Sequence, residues 1–208
     1  MKILAFDFGA SSGRAIIGHF DGKKIELEEI HRFLNEPVEV NGALYWDILR
    51  LYHELKQGII KADQAGGVDS MGIDTWGVDF GLIGKDGQLL ANPFHYRSSH
   101  TENAVAMLEE VLSKDELFAE TGLAFQKFNT LCQLVVMQKN DNLALKYADC
   151  ALFIPDLFVY FLTGKKTCEF SIASTSQLIR PGKNEFSDKI FKAYGLKNLF
   201  PAITSPGT

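Results

Sequence analysis

A turn rich in small residues follows the first apolar segment and carries the clearest chemical pattern of the sequence. Asp7 comes directly after the apolar run 3–6, and residues 9–13 contain two glycines and two serines before Arg14. Backbone N–H groups with little side-chain bulk can surround phosphate oxygens, and hydroxyl and guanidinium groups add donors. Asp7 offers the carboxylate that a hydrated Mg²⁺ prefers. The segment is a candidate phosphate site, and the alternative is a tight hairpin with a structural aspartate.

A second cluster of polar and aromatic residues, 74–80, comes where another apolar segment ends. Open α/β sheets place ligands at the carboxyl ends of their strands. Trp76 could stack on the apolar face of a sugar, Gly77 would let the backbone approach closely, and Asp79 could accept hydrogen bonds from hydroxyl groups. The alternative is a core tryptophan beside a surface-loop aspartate, which needs no ligand.

A third candidate is the polar loop after Pro93, in which Tyr96 and Arg97 are followed by two serines and a histidine. This loop could face a ligand. The alternative is a solvated connection in which Ser98 or Ser99 caps the next helix. The five histidines of the chain show no metal-ligand spacing, so we expect most of them to be structural or exposed.

Other familiar motifs are absent from the sequence. Residues 164–167 resemble a Walker loop only faintly, because Val159 stands where that loop needs a glycine and Lys166 where it needs a serine or threonine. We interpret this segment as the end of a helix. No G-x-G-x-x-G, G-x-S-x-G or H-E-x-x-H motif occurs, which argues against dinucleotide-binding, hydrolase-elbow and zinc-protease sites.

Composition narrows the class of protein. The 208 residues carry 21 basic and 26 acidic side chains, a net charge of −5, which argues against nucleic-acid binding. A hydrophobic share of 46% is typical of a globular chain. The three cysteines form no C-x-x-C pair, so free buried thiols in a reducing compartment are expected. Without a signal-peptide or membrane-spanning pattern, we expect a cytoplasmic protein with no membrane or nucleic-acid partner.

The first third of the chain predicts a sheet that opens as an antiparallel meander. The continuous apolar run 3–6 is typical of a strand buried on both faces, and Asp21-Gly22 is a strong hairpin signal. Asp47 can cap a helix with one apolar face. No helix pattern follows the first strand, in contrast to a nucleotide-binding βαβ unit. Strands are predicted over residues 3–6, 14–20, 24–33 and 68–73, the last also buried.

The rest of the chain is mainly helical in pattern. A capping box at Ser113 and Glu116 predicts a helix that Gly122 closes. Pro155 predicts the start of another helix, which ends at Gly164. The predicted elements are an apolar helix stripe over 104–112, a helix over about 131–138 and a short strand over 151–154. Because no linker or repeat occurs, we expect one α/β unit.

Six segments, taken together, resemble the FGGY family of carbohydrate kinases. They occur in family order and cover nearly the whole chain, and although each is weakly specific alone, six in register are strong support. The matching segments are residues 7–14, 29–33, 72–80, 128–131, 155–158 and 162–164.

The resemblance implies an actin-like, ribonuclease-H-like α/β fold, with a mixed sheet that opens with a three-stranded meander and is flanked by helices. It also implies transfer of the γ-phosphoryl group of ATP to the 1-hydroxyl of L-rhamnulose. Asp7 would lie near Mg²⁺ and hold it through a water molecule. By this resemblance the ATP phosphates would contact Ala10, Ser11, Ser12, Gly13 and Arg14, and the sugar would contact Trp76, Gly77, Asp79, Tyr96 and Arg97.

Two departures from the family pattern qualify this expectation. Ser98, Ser99 and His100 follow Tyr-Arg where the family usually has Asp, a variable residue and Arg. The family's catalytic Asp, in a His-Asp segment, lies beyond Thr208, so no catalytic base is expected within residues 1–208. The chain would then be the incomplete N-terminal, sugar-binding domain of a kinase, inactive without its C-terminal domain. The alternatives are another ketose or polyol kinase of the family, a non-catalytic sugar-binding module, or an actin- or chaperone-type ATPase.

Overall fold

A computed structural model describes residues 1–207. Its contacts divide the chain into two compact units, the first formed by residues 1–38 and 46–76 and the second by 39–45 and 77 onward. The sequence predicts one α/β unit because no Pro-rich or Gly-rich linker separates them. The chain passes from one unit to the other at residues 38–39, 45–46 and 76–77. None of these positions lies in a stretch of unusual composition, so the sequence does not mark the division.

The strands are β1 Lys2–Phe8, β2 Ser12–Phe20, β3 Ile25–Leu34, β4 Val38–Val40, β5 Ala43–Tyr45, β6 Ser70–Thr75, β7 Phe80–Ile83 and β8 Cys150–Phe153. The helices are α1 Ile48–Gln64, α2 Ala104–Glu109, α3 Lys114–Thr121, α4 Thr130–Lys139, α5 Leu143–Tyr147, α6 Ile154–Thr163, α7 Phe170–Ala173 and α8 Asp188–Ala193, with single 3₁₀ turns at Ser99–Thr101 and Ser174–Ser176.

The first unit contains a mixed four-stranded sheet in the order β3-β2-β1-β6. The first three strands are antiparallel neighbours, and β6 runs parallel to β1. The predicted meander is therefore confirmed, as is the absence of a helix directly after β1. The register places Asp7 opposite Arg14 on β2 and beside Asp74 on β6.

One face of this sheet packs on α1. Leu4, Phe6 and Phe8 alternate along β1 and are buried, whereas Ala5 between them is exposed. The prediction of strands buried on both faces was wrong for β1 and for β6, whose residues are exposed or half-buried. A continuous apolar run shows that a strand lies in a sheet, but it does not show which of its faces are covered within the chain.

Helix α1 follows the predicted pattern. The Asp47 carboxylate accepts a hydrogen bond from the Arg50 N–H at the first turn. Leu51, Leu55 and Gly58 are among the residues on its buried face. This helix packs against β1, the strand that precedes the candidate phosphate turn, so it helps to set the position of that turn.

The second unit is built around α4, in which every residue from Thr130 to Met137 is buried. Strand β7 pairs with β8 in antiparallel fashion. The capping box of Ser113 and Glu116 is present at α3, and Gly122 and Gly164 end α3 and α6 in the left-handed conformation. These predictions are confirmed. The interpretation of residues 164–167 as the end of a helix is also confirmed, because Gly164 is the C-cap of α6.

Several elements have no counterpart in the sequence predictions, namely the β4–β5 hairpin, α5, α7 and α8. They are three to six residues long, too short for a periodic pattern to reveal. No helix within residues 1–207 is long and apolar enough to cross a membrane. The three cysteines are free and buried, as predicted.

Candidate functional site

The candidate phosphate turn connects β1 to β2 in the first unit. The Gly9 N–H donates to the Ser12 carbonyl at 2.9 Å, which closes a tight loop with Ser11 exposed to solvent. Gly13 pairs with Phe8 and lies under the Phe33 ring, and a Cβ on Gly13 would come within 2.2 Å of that ring. Glycine is thus required here for close packing beneath the loop.

Asn35, which the sequence predictions did not single out, holds the same loop from the end of β3. Its side-chain amide donates to the Gly9 carbonyl at 2.7 Å, and its backbone N–H donates to the Ser11 carbonyl at 3.0 Å. Asn35 is 2% exposed. Two bonds from one buried residue fix both carbonyls inward, which is the preorganisation that an anion-binding loop needs.

Asp7 and Arg14 form an ion pair beside this loop. The Arg14 Nε and a terminal guanidinium nitrogen donate to one Asp7 carboxylate oxygen at 2.9 and 2.7 Å, and both side chains are 44% exposed. Residues 1–207 contain no group of three or more potential metal ligands among His, Cys, Asp and Glu. The donor set still fits Mg²⁺, because this ion is commonly held by one or two carboxylates with water completing its shell, and Asp7 has Asp74 as its neighbour on β6.

The second unit contains the turn Gly77–Val78–Asp79. The Asp79 N–H donates to the Gly77 carbonyl at 2.8 Å, and Val78 between them has a φ of +65°. This is a γ-turn with a positive central φ, a rare conformation, and it is strained for a β-branched residue. Such strain costs about 1–3 kcal/mol and persists only where the surroundings fix it.

Asp79 is a buried anchor of this turn. It is 1% exposed, and its carboxylate accepts from the Gln133 side-chain amide at 2.8 Å and from the Tyr96 N–H at 3.1 Å. Neither of the sequence-based alternatives, a hydroxyl acceptor open to a ligand or a surface-loop aspartate, describes this geometry. The carboxylate joins the γ-turn to the loop that carries Tyr96.

His95 contacts both Tyr96 and Arg97, the two residues that follow it in the loop. The Tyr96 ring stacks on His95 at 4.7 Å, and the Arg97 guanidinium lies 5.2 Å over the Tyr96 ring. Burial, with the nearby Arg97 charge, lowers the pKa of His95 to about 4. His95 is therefore neutral, and its Nδ1 accepts the Arg97 N–H at 2.9 Å. Arg97 itself is exposed.

Ser98, Ser99 and His100 connect the loop to neighbouring segments, with Ser98 buried and Ser99 exposed. The Ser98 hydroxyl accepts the Leu44 N–H, and the Ser99 hydroxyl donates to the Gly42 carbonyl. Neither serine caps the following turn with its side chain, contrary to the alternative considered from the sequence, because both bind the β4–β5 hairpin. His100 stacks on Phe94 at 4.0 Å, and burial lowers its pKa to about 4. Neutral side chains suit the enclosed surroundings of Ser98 and of the His100 ring.

Trp76 lies in the first unit, at the end of β6. One face of its indole ring stacks on Trp46, with ring centroids 3.7 Å apart. Trp46 is fully buried, whereas Trp76 is half-buried.

The description "FGGY family of carbohydrate kinases, N-terminal domain" belongs to the family model that matches residues 2–207. The chain belongs to this family. The matched residues include the candidate phosphate turn, the γ-turn and the loop after Pro93.

Relatives of the FGGY chain include the rhamnulokinases of Bacteroides thetaiotaomicron, 44% identical over 99% of the chain, and of Halalkalibacterium halodurans, 42% identical over 98%. The chain spans 43% and 44% of these two proteins, which is less than half their length. The rhamnulokinase of Bacillus subtilis is 37% identical over the whole chain.

Solved structures confirm the actin-like, ribonuclease-H-like fold of this FGGY chain. Xylulose kinase from Lactobacillus acidophilus superimposes with a TM-score of 0.88 at 14% identity, covering 100% of the chain and 42% of that kinase. Glycerol kinase from Plasmodium falciparum superimposes with a TM-score of 0.77 at 17% identity, covering 97% of the chain and 42% of that kinase. At these identities the likeness concerns the fold alone.

The supporting residues of the FGGY chain were harder to predict than the candidate contacts. Asn35 bonds to the Gly9 and Ser11 carbonyls, Gln133 to the Asp79 carboxylate, and Thr130 and Thr175 to the Val78 backbone. These partners are far away in sequence, so no local pattern identifies the four residues. A signal existed for Thr130, which belongs to the segment 128–131 that matches the family. From the residues alone that segment predicted only a helix start.

Proposed function

We propose that the chain is the N-terminal part of an ATP-dependent kinase that transfers the γ-phosphoryl group of ATP to the 1-hydroxyl of L-rhamnulose. The observation that carries the proposal is the preorganised turn after Asp7 in a chain that matches an FGGY kinase domain from end to end. The relatives named as rhamnulokinases, at 37–44% identity, favour this ketose. A cytoplasmic location fits such an activity.

On the nucleotide side, the turn residues 10–13 and Arg14 would bind the phosphates of ATP. Asn35 directs two loop carbonyls inward, which favours amides facing the phosphates. Arg14 would exchange part of its bond with Asp7 for a phosphate oxygen. Asp7 would hold Mg²⁺ through water, and the bound ion would supply neutralisation of phosphate charge.

On the sugar side, Gly77, Trp76, Tyr96 and Arg97 would contact the ketose. Arg97 offers charged donors and Trp76 an aromatic face, which suits a molecule with both hydroxyl groups and a C–H face. Asp79 takes a different role from the one first expected, because its carboxylate is buried and bonded to Gln133 and Tyr96. We assign it to positioning the Tyr96 loop.

Phosphoryl transfer also needs a base for the sugar hydroxyl and a site for the adenine ring. We propose that both lie in the part of the protein that follows residue 208, as the family pattern implies. Residues 1–208 alone would then be inactive, and their partner is the C-terminal domain of the same chain. Catalysis would depend on orientation and charge neutralisation, with the base acting on the 1-hydroxyl.

Isothermal titration of the full-length protein with L-rhamnulose, L-fuculose, D-xylulose and glycerol tests the proposal. We expect heat of binding for L-rhamnulose with a Kd at least tenfold lower than for the other sugars, and ATP-dependent phosphorylation of the same sugar. Preference for another sugar would assign the chain to another kinase of the family. Sugar binding without phosphorylation would assign a non-catalytic module, and ATP hydrolysis without any sugar an ATPase.

A further inference from the structure

The strained turn at Val78 is held through both of its backbone polar groups. The Val78 N–H donates to the Thr175 hydroxyl oxygen at 3.0 Å. The Val78 carbonyl accepts from the Thr130 hydroxyl at 2.7 Å, and Thr130 is fully buried. A valine with a φ of +65° would relax to an ordinary conformation unless such bonds prevented it.

Thr175 also determines how close the turn lies to the 3₁₀ segment 174–176. A Cβ on Gly77 would approach the Thr175 hydroxyl oxygen at 2.8 Å and its methyl carbon at 2.9 Å. The Thr175 side chain therefore lies directly against the bare Gly77 backbone. It fixes the turn by a hydrogen bond at Val78 and by contact at Gly77.

Thr175 itself is held by a short, well-capped segment. Its hydroxyl donates to the Ile172 carbonyl at 2.8 Å, which orients the oxygen to accept from Val78. Ile172 belongs to α7, whose first N–H groups are capped by the Glu169 carboxylate. The Glu169 N–H in turn donates to the buried Asp156 carboxylate. These bonds connect α6 to the turn at Gly77.

We infer that Thr175 is a positioning residue for the sugar-binding site: its hydroxyl and methyl groups hold the γ-turn at residues 77–79 in its strained form, so that the Gly77 backbone and the Tyr96 loop are preorganised for the ketose. This inference rests on the proposed function. We assign Thr175 to positioning and not to contact with the sugar, because its hydroxyl bonds to two backbone groups, the Val78 N–H and the Ile172 carbonyl.

The test compares Thr175→Val, which removes the hydroxyl at nearly constant volume, with Thr175→Ser, which keeps it. In the full-length protein we expect Thr175→Val to raise the KM for L-rhamnulose about five- to twentyfold, with kcat and the KM for ATP within twofold of wild type. Amide hydrogen exchange of residues 76–80 should become at least tenfold faster. Thr175→Ser should keep the sugar KM and the exchange rate of residues 76–80 close to their wild-type values.

A matched control is Thr163→Val, because Thr163 is an exposed threonine whose hydroxyl also donates to a backbone carbonyl, that of Val159. Thr163→Val should change neither the KM for L-rhamnulose nor the amide exchange of residues 76–80. Val78→Gly provides a second variant that relieves strain without removing Thr175. It should keep or raise the melting temperature and still raise the sugar KM.

Unchanged exchange at residues 76–80 in Thr175→Val would overturn the inference, as would faster exchange with an unchanged sugar KM. Equal loss of kcat and of ATP affinity would also overturn it, because that result indicates general disruption. If the wild-type protein phosphorylates none of the sugars, the proposed function fails and the positioning role fails with it. The exchange measurement would then still decide whether Thr175 holds the turn.

Discussion

Asp7 and Arg14 form an exposed ion pair beside the turn that is proposed to bind phosphate. They face each other across β1 and β2, and each remains 44% exposed. An ion pair at this exposure contributes less than about 1 kcal/mol to stability. The pair can therefore rearrange with little loss of stability, as the proposed binding of phosphate and Mg²⁺ beside it requires.

The first prediction concerns Asp7. In the full-length protein, Asp7→Ala should reduce kcat at least about 100-fold, as expected when a group that stabilises transition-state charge is lost, and should leave the Kd for the sugar within twofold. The melting temperature should change little, because the ion pair is exposed. Steady-state kinetics and titration measure these quantities. Glu26→Ala breaks the more exposed Lys24–Glu26 pair and is the control.

The second prediction concerns Asp79, whose replacement should affect stability and the sugar KM more than kcat. Asp79→Ala would leave the Tyr96 N–H and the Gln133 amide without their acceptor, at a cost of about 1–3 kcal/mol in the free energy of unfolding for each unsatisfied group. The KM for the ketose should rise more than kcat falls, because the Tyr96 loop is no longer held. Denaturant unfolding and kinetics check this, with the exposed Asp63→Ala as control. A full loss of kcat at normal sugar affinity would mean that the roles of Asp7 and Asp79 are reversed.

At the scale of elements, the contact between α1 and the sheet is tight enough to reverse an ordinary helix preference. A Cβ on Gly58 would come within 2.5 Å of the Phe6 ring and 3.0 Å of Ala15. Alanine in a helix interior normally stabilises by up to about 1 kcal/mol relative to glycine. Here overpacking, with a cost of about 1–3 kcal/mol, should dominate.

Gly58→Ala is therefore expected to lower the free energy of unfolding. Lys56→Ala, at an exposed position of the same helix, should leave it nearly unchanged. Thermal or denaturant unfolding of both variants provides the comparison. A stabilised Gly58→Ala variant would show that the contact between α1 and β1 is looser than described.

Asp156 makes the stability of the second unit depend on pH. Burial raises its pKa to about 6, against smaller opposing effects of the bonds from Thr167 and the Glu169 N–H. Because this pKa lies above its unfolded value of 3.8, the native state binds the proton more tightly than the unfolded state. The stability contributed by protonated Asp156 is complete below about pH 4 and is lost as the pH rises through 6.

Asp156→Asn removes this titration and keeps an oxygen that can accept from Thr167. The stability of the variant relative to wild type should increase by about 2–3 kcal/mol between pH 4 and pH 7.5. Unfolding curves at several pH values measure the difference. The control is Asp188→Asn, an exposed first-turn aspartate of α8. A flat difference for Asp156→Asn would contradict the assigned burial effect.

The elements were largely predictable because their signals are local. The meander, α1, α3, α4 and α6 follow from apolar periodicity, turns and caps. Which faces of β1 and β6 are covered depends on chain segments distant in sequence, and periodicity does not report that. The candidate site was predictable to the same extent. Its small and polar residues could be identified from the sequence, but the hydrogen-bond partners of Asp79, Asn35 and Ser98 could not, because they are set by tertiary contacts.

At the scale of the whole molecule, the two candidate sites lie mainly in different compact units of the chain. The first unit contains the turn proposed to bind ATP phosphates, and the second contains the γ-turn and Tyr96 loop proposed to bind the sugar. The chain spans 43% of the rhamnulokinase from Bacteroides thetaiotaomicron. We therefore propose that the complete reaction belongs to the longer protein, with the base supplied from beyond residue 208.

The most direct measurement is ³¹P and ¹³C NMR of the product formed by the full-length protein from L-rhamnulose and Mg-ATP. A new phosphate ester on carbon 1 of the ketose is predicted, together with ADP in equal amount. Appearance of inorganic phosphate with the sugar unchanged would contradict the account, because it would mean that ATP is broken down without transfer to a sugar.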